Sequence, residues 1–249
     1  MEVLSPPIES LMGARAAEPA VHSALELIDH LYSYNHWIYD TVRPFIQGRV
    51  CEVGSGTGNI TQFLLRKEHI VGIEPYEQSL RKAQRRFVDH LNVCFVGCRL
   101  EQCPNDEVNA GSFDTVLCLN VLEHLEEDVA ALTTMRTLCR PDGRVVILVP
   151  AMMSIYGEMD RSYGHYRRYN RRSLGRAFAG AGLEVSDSFY MNAIGAFGWL
   201  WEGRIMKRPR IRAKAARAFN RMVPFVDALE RLIRPPFGQS IVMVGHPPT

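Results

Sequence analysis

Apolar positions along the chain follow two periods. Between Ala24 and Phe45, Leu27, Leu31, Tyr34, Ile38 and Val42 recur at steps of three and four, which predicts a helix. From Val50 onward, short apolar runs bounded by turn residues alternate with helical stretches. The runs from Val50, His69–Glu74, Val93–Val96, Phe113–Asn120, Arg144–Pro150, Leu183–Tyr190 and Ser240–Val244 read as strands. Ile60–Lys67, Tyr76–Asp89, Glu126–Cys139 and Arg171–Gly180 read as helices, and Arg140-Pro141-Asp142-Gly143 as a turn by composition. Strands and helices alternating through short connections signal a parallel sheet with helices on both faces. At 249 residues this is one α/β domain with room for a sizeable core.

The chemistry concentrates where the first strand ends. Val50-Cys51-Glu52-Val53-Gly54-Ser55-Gly56-Thr57-Gly58 runs a buried strand into a glycine turn and then a helix. Glycines at alternate positions let the backbone turn tightly and approach a ligand, and the helix behind aims free N–H groups at whatever lies over the turn. The second strand ends at Glu74, where a carboxylate can accept two hydrogen bonds from a ribose diol. A nucleoside ligand follows. Dinucleotide folds use G-x-G-x-x-G, whereas here the third glycine comes one residue early, which speaks against a nicotinamide dehydrogenase.

The pattern Glu52-x-Gly54-x-Gly56-x-Gly58 resembles motif I of the class I S-adenosylmethionine (SAM) methyltransferases, and the chain is similar to the type 11/12-like small-molecule members. Phe113-Asp114-Thr115-Val116, Leu122-Glu123-His124-Leu125 and Leu138-Cys139-Arg140-Pro141-Asp142-Gly143-Arg144-Val145-Val146-Ile147 resemble motifs IV to VI in the same order. The resemblance covers roughly residues 45 to 190 and the last strand. It implies a Rossmann-like, seven-stranded, mostly parallel sheet in the order 3-2-1-4-5-7-6, with the last strand antiparallel. It implies SAM as the cofactor, held by Glu52, Gly54, Ser55, Gly56, Gly58, Glu74 and Pro75, with Asn120 beside the methyl donor. Many relatives carry an acid after strand three that contacts the adenine amine. This chain has Gly97-Cys98-Arg99-Leu100-Glu101, so the adenine contact falls to backbone at Arg99 and Leu100. Some quinone-pathway relatives hold a divalent metal with Glu-x-x-Glu-His. Here Asn120 replaces the first acid, and Glu123 with His124 makes no cage for a hard cation, so no metal is expected.

After strand five, Asp160 and Gly164-His165-Tyr166-Arg167-Arg168-Tyr169 resemble a loop of a bacterial subgroup associated with lipids and sugars. A histidine takes a proton near neutral pH, Asp160 could orient it, and Arg168 could neutralise an anion. Methyl transfer from a sulfonium needs mainly in-line positioning, with a base only for a hydroxyl or protonated amine. His165, Asn120 and Tyr156 are the candidate catalytic residues. The competing reading has His165, Arg168 and Tyr169 locking the loop onto the next helix.

Residues 193–239 stand where relatives carry a short hairpin. Ile211, Ala215, Ala218, Phe219 and Met222 suggest one apolar face, and Phe225, Leu229, Leu232 and Ile233 a second after Pro224. Charge is lopsided: from Arg161 onward there are 16 Lys+Arg against 5 Asp+Glu, within a chain of net charge +2. A lid, a homodimer contact and peripheral membrane contact all fit. The expected layout is a helical cap (1–45), a SAM-binding domain (46–192), the basic insertion (193–239) and the final strand (240–249). Met1–Pro19 lacks a signal-peptide pattern and its Pro/Ala-rich start reads as loose. Cys51, Cys94 and Cys118 read as core thiols, and cysteine spacing offers no zinc site, which fits a cytoplasmic protein.

These features favour methyl transfer to an O or N of a small-molecule or lipid-linked acceptor. A catalytically inactive binding protein of the same fold is the first alternative. A nucleic-acid methyltransferase, the other alternative, ranks below the small-molecule reading, since no Asn/Asp-Pro-Pro-Tyr motif follows strand four.

Overall fold

The computed structural model describes residues 27–233 and 235–248. The loose start and the predicted helix origin at Ala24 lie outside them. Seven strands form one sheet: β1 (Val50–Val53), β2 (Ile70–Ile73), β3 (Val93–Val96), β4 (Phe113–Leu119), β5 (Cys139–Pro150), β6 (Glu184–Met191) and β7 (Ser240–His246). Their order is β3-β2-β1-β4-β5-β7-β6, as expected. The first five run parallel, and β7 pairs antiparallel with both β5 and β6. The helices are α1 (Tyr32–Val42), α2 (Thr61–Leu64), α3 (Glu77–Arg86), α4 (Asp128–Leu138), α5 (Glu158–Ser162), α6 (Arg171–Gly180), α7 (Ala193–Trp199) and α8 (Ala213–Ile233).

Alternation along the central strands explains the two layers. Val116 and Cys118 of β4, Val145 and Ile147 of β5, and Met243 of β7 share one cluster with Leu132 and Met135 of α4 and Phe178 of α6. Their neighbours Leu117, Val146, Leu148 and Val242 face the opposite layer, with Trp37, Ile38 and Val42 of α1 and Val223 and Val226 of α8. A strand buried on both faces reads as a continuous apolar run, which is how these strands look in sequence. Half of the insertion, α8, therefore belongs to the covering layer of the sheet, and Tyr34 donates its N–H to Asn220 Oδ1 at 2.9 Å to tie α1 to it.

Several local expectations are corrected. Arg140–Gly143 is not a turn but a bulged stretch of β5: Cys139 lies opposite Phe113 and Arg144 opposite Thr115. Arg140 holds that stretch to the sheet through Asp114 Oδ1 at 2.7 Å. The first helix is interrupted near Leu31, where Asn35 Nδ2 donates to Ile28 O at 2.9 Å. Pro224 does not divide two helices; α8 runs through it, and Ile211 precedes its start. Of the face expected there, Ala218 and Met222 are exposed, and the buried positions are Ala216, Val223 and Val226. Cys94 is exposed because β3 is an edge strand, while Cys51 and Cys118 are buried.

Candidate functional site: a donor edge and an acceptor loop

Parallel register places the strand ends side by side. Val53 lies opposite Ile73 and Cys118, and Ile73 opposite Val96, so Gly54, Glu74, Gly97 and the end of β4 emerge along one edge. Ligands of open α/β sheets bind outside this carboxyl edge.

The glycine turn is built for close packing. Gly54, Gly56 and Gly58 all have positive φ, at 70°, 56° and 83°. A Cβ on Gly54 would lie 2.4 Å from Val121, and one on Gly58 2.3 Å from Phe87. Two of the three glycines therefore let the turn settle against the β4 loop and α3, rather than clearing space for a ligand. Glu74 closes the turn from the next strand: its Oε2 accepts from Gly56 N at 2.8 Å and its Oε1 from Tyr76 N at 2.9 Å. Burial raises the Glu74 carboxyl, and those two amides oppose the shift. Each oxygen keeps a further lone pair for a diol. Glu52 accepts from Thr61 Oγ1 at 2.6 Å, and burial raises it to about 7. Ser55 Oγ is buried without a hydrogen-bond partner among the described residues. Pro75 and Arg99 are exposed and Leu100 is buried, and the Arg99 N–H already donates to Gln102 Oε1 at 3.0 Å. Of this pair, Leu100 is the backbone amide that Gln102 does not engage. Asn120 is exposed at the end of β4 in a left-handed conformation, φ 57°.

One residue escaped sequence reasoning on this side. Asp29, from the short helical segment before α1, accepts from Thr57 Oγ1 and, at 2.7 Å, from Asn59 Nδ2, while Lys82 Nζ reaches its other oxygen at 2.6 Å. It straps the N-terminal segment across the glycine turn, and nothing in its position within a helical pattern signals that.

The segment after β5 is organised by Asp160, which is fully buried. Its Oδ1 accepts from Arg168 Nε at 2.7 Å and lies 2.9 Å from His165 Nδ1. Its Oδ2 accepts from Gly157 N at 2.9 Å and from Trp199 Nε1 at 3.0 Å. Burial pushes this carboxyl up, but the bonds from His165, Arg168, Trp199 and Gly157 outweigh it and hold the pKa below the ordinary value. His165 is 9% exposed and meets His124 edge-on, ring centroids 4.7 Å apart. Burial, with His165 beside it, drives His124 down to about 3, so its imidazole stays neutral. Tyr156 does not point its hydroxyl into open space: it donates to His165 O at 2.8 Å and fixes the loop. Tyr169 donates to Asp128 Oδ2 of α4 at 2.9 Å, so it ties the loop to an earlier helix and not to the next one, α6.

Glu123 is the unused group. It is 1% exposed, its Oε2 has no partner among the described residues, and burial raises it to about 7. Ligand atoms of Glu123, His124 and His165 lie within 4.8 Å of one another. His165 joins Glu123 and His124 from a different loop, which their spacing in sequence does not signal. Trp199 was also missed: α7 brings it to Asp160, and the Arg168 guanidinium stacks over its ring at 4.7 Å. Its one signal was the aromatic cluster that opens the insertion.

The model of the methyltransferase domain matches residues 22–188. The chain belongs to this methyltransferase family. Its donor is S-adenosylmethionine, in keeping with the sheet order and the motif I turn. Among curated proteins it is 27% identical to the ubiquinone biosynthesis O-methyltransferase of Marinobacter nauticus over 40% of this chain and 42% of that one. It is 31% identical to an uncharacterised methyltransferase of Alkaliphilus oremlandii over 44% and 49%. The chain thus spans less than half the length of these relatives. Among solved structures, a chain of the Haloferax volcanii complex of the Trm112 methyltransferase activator superposes with a TM-score of 0.61, 16% identity and 96% of each chain covered. Phosphoethanolamine N-methyltransferase 2 of Haemonchus contortus, solved with S-adenosyl-L-methionine, gives 0.59 at 16% identity over 87% of this chain and 53% of that one. At such identities the structures share the fold.

Proposed function

We propose that the chain transfers a methyl group from SAM to an oxygen or nitrogen of a small-molecule or lipid-linked acceptor, with His165 as the base on the acceptor side. The observation that carries this is the buried Asp160–His165 pair. A carboxylate on Nδ1 fixes the proton there and leaves the Nε2 lone pair as the nitrogen that can take a proton. SAM supplies an electrophilic methyl on a sulfonium. The residues of the chain orient and deprotonate: Glu74 accepts from the ribose hydroxyls, Glu52, Ser55 and the glycine turn hold the donor's other end, Leu100 offers an amide to the adenine, and Asn120 stands at the strand end beside the methyl. His165 takes the proton from the acceptor's O–H or N–H as the new bond to carbon forms. Tyr156 holds the His165 carbonyl in place.

No metal enters this reading. The Arg168 guanidinium favours the ionised form of Glu123, as an added cation would, and a sulfonium needs no Lewis acid to part with its methyl.

The test compares His165→Ala and His165→Gln, with methyl-labelled SAM and a cell extract fractionated into lipid, small-molecule, protein and nucleic-acid pools. Gln keeps a donor toward Asp160 but cannot take a proton. Both variants should lose roughly 100-fold or more in turnover while binding the donor normally. Full turnover in His165→Gln would make the residue a loop lock.

A further inference from the structure

Of nineteen large apolar side chains exposed among the described residues, eleven fall within residues 193–239. On α8 they form a row. Met222, Phe225, Leu229, Leu232 and Ile233 are spaced i, i+3, i+7, i+10 and i+11, one helical face beside the buried line through Val223 and Val226, and Phe225 and Leu232 are 79% and 83% exposed. The same stripe continues toward the start of α8 as Lys214, Arg217 and Arg221, also exposed. No hydrogen bond or ion pair joins these three cations to another described residue.

We propose that this face of α8 docks on an anionic lipid surface, with Phe225, Leu229 and Leu232 entering the headgroup boundary and Lys214, Arg217 and Arg221 against the lipid phosphates. An amphipathic helix lying in the interface plane needs this combination, apolar side chains flanked by unpaired cations, and no long apolar span. No helix among the described residues is long and apolar enough to cross a membrane. Charge selects the lipid over a second copy of the chain. The acids of the insertion are already engaged: Glu202 with Arg208 and Arg212, Asp227 with Arg231, and Glu230 with the amides of Asn192 and Ala193. A two-fold contact of this face with its own copy would bury the three cations of one chain against those of the other, with the insertion's acids already paired, which is costly. The counter-charge has to come from outside, and a surface of phosphates supplies it. Glu230 also links α8 to the start of α7, whose Trp199 reaches Asp160.

The proposal is independent of methyl transfer and is tested by sedimenting the full chain with vesicles of phosphatidylcholine, with and without phosphatidylglycerol. Binding should appear only with phosphatidylglycerol and weaken with salt. Lys214→Gln/Arg217→Gln/Arg221→Gln should lower it roughly a hundredfold or more. Phe225→Glu/Leu232→Glu, both at exposed positions, should abolish it with no change in melting temperature. Equal binding to neutral vesicles, or none to either, overturns the proposal. So does a wild-type dimer in light scattering that Phe225→Glu/Leu232→Glu splits.

Discussion

Asp160→Asn isolates the group that the acceptor loop depends on. The carboxylate is fully buried and is the charge partner of Arg168, itself 4% exposed, whose Nη1 donates to Ala151 O at 2.9 Å. Asn keeps the shape but removes the charge and turns one acceptor into a donor. If its amide nitrogen takes the Oδ2 position, the Gly157 N–H and Trp199 Nε1–H face a third donor; if it takes Oδ1, Arg168 and His165 do. Leaving a buried ion without its partner costs about 3–5 kcal/mol. A domain of this size shifts by about 2–4 °C per kcal/mol, so the melting temperature should fall by roughly 6–20 °C. Adding Arg168→Met removes the stranded cation, so the double variant should be more stable than the sum of the single losses allows. Urea unfolding of the four proteins measures this. A loss below about 1 kcal/mol in Asp160→Asn, or additivity within about 0.5 kcal/mol, would refute the charge argument. The acid limb gives a second reading. The folded pKa of Asp160 lies below its ordinary 3.8, so its contribution is full above that value and fades as pH falls through the folded pKa. The variant's stability should accordingly depend less on pH there.

Glu123 acts in the opposite sense. Its folded pKa of about 7 exceeds the ordinary 4.5, so the folded state holds a proton that the unfolded chain releases, and stability falls as pH rises from 4.5 to 7. Glu123→Gln should flatten that slope in pH-dependent melting, and an unchanged slope would show that another group sets it. Glu74→Ala should weaken SAM binding by more than about a hundredfold in calorimetry, the worth of two hydrogen bonds to a charged acceptor; unaltered affinity removes the ribose assignment. Gly58→Ala puts a Cβ 2.3 Å from Phe87 at φ 83°, and should cost about 2 kcal/mol or more in urea unfolding, with near-neutrality showing that the turn shifts freely. Dialysis against a chelator should leave turnover unchanged, whereas a loss restored by zinc would make Glu123, His124 and His165 a metal site.

The sheet was legible because each central strand is buried on both faces, so apolar runs stand out against charged helices. Where the reading slipped, a tertiary contact overruled a local preference. Arg140–Gly143 has the composition of a turn, yet Arg140 finds Asp114 on the adjacent strand and the segment stays in the sheet as a bulge. The first helix has unbroken periodicity through Leu31, yet Asp29 is drawn to Thr57 and Asn59. Pro224 is a helix breaker in isolation, yet Val223 and Val226 on either side of it are buried against the sheet and carry α8 through.

The site divides along the same line. Its donor half is contiguous in sequence, a strand, a turn and one carboxylate at the next strand's end, and register alone brings those pieces together. The acceptor half is assembled from three distant segments: Glu123 and His124 after β4, Asp160 to Arg168 after β5, and Trp199 from the insertion. No spacing rule joins them: Asp160 gathers His165, Arg168 and Trp199, and Glu123 and His124 meet the same loop through Tyr166 N and the His165 ring. The insertion shows why this matters for function. A segment that looks like an appendage covers the sheet with one face of α8, reaches the acceptor loop through Trp199, and leaves its remaining face apolar and basic. Deleting residues 193–239 would therefore open the core and strand Asp160 together, and only point changes on the exposed face can separate what the insertion stabilises from what it binds.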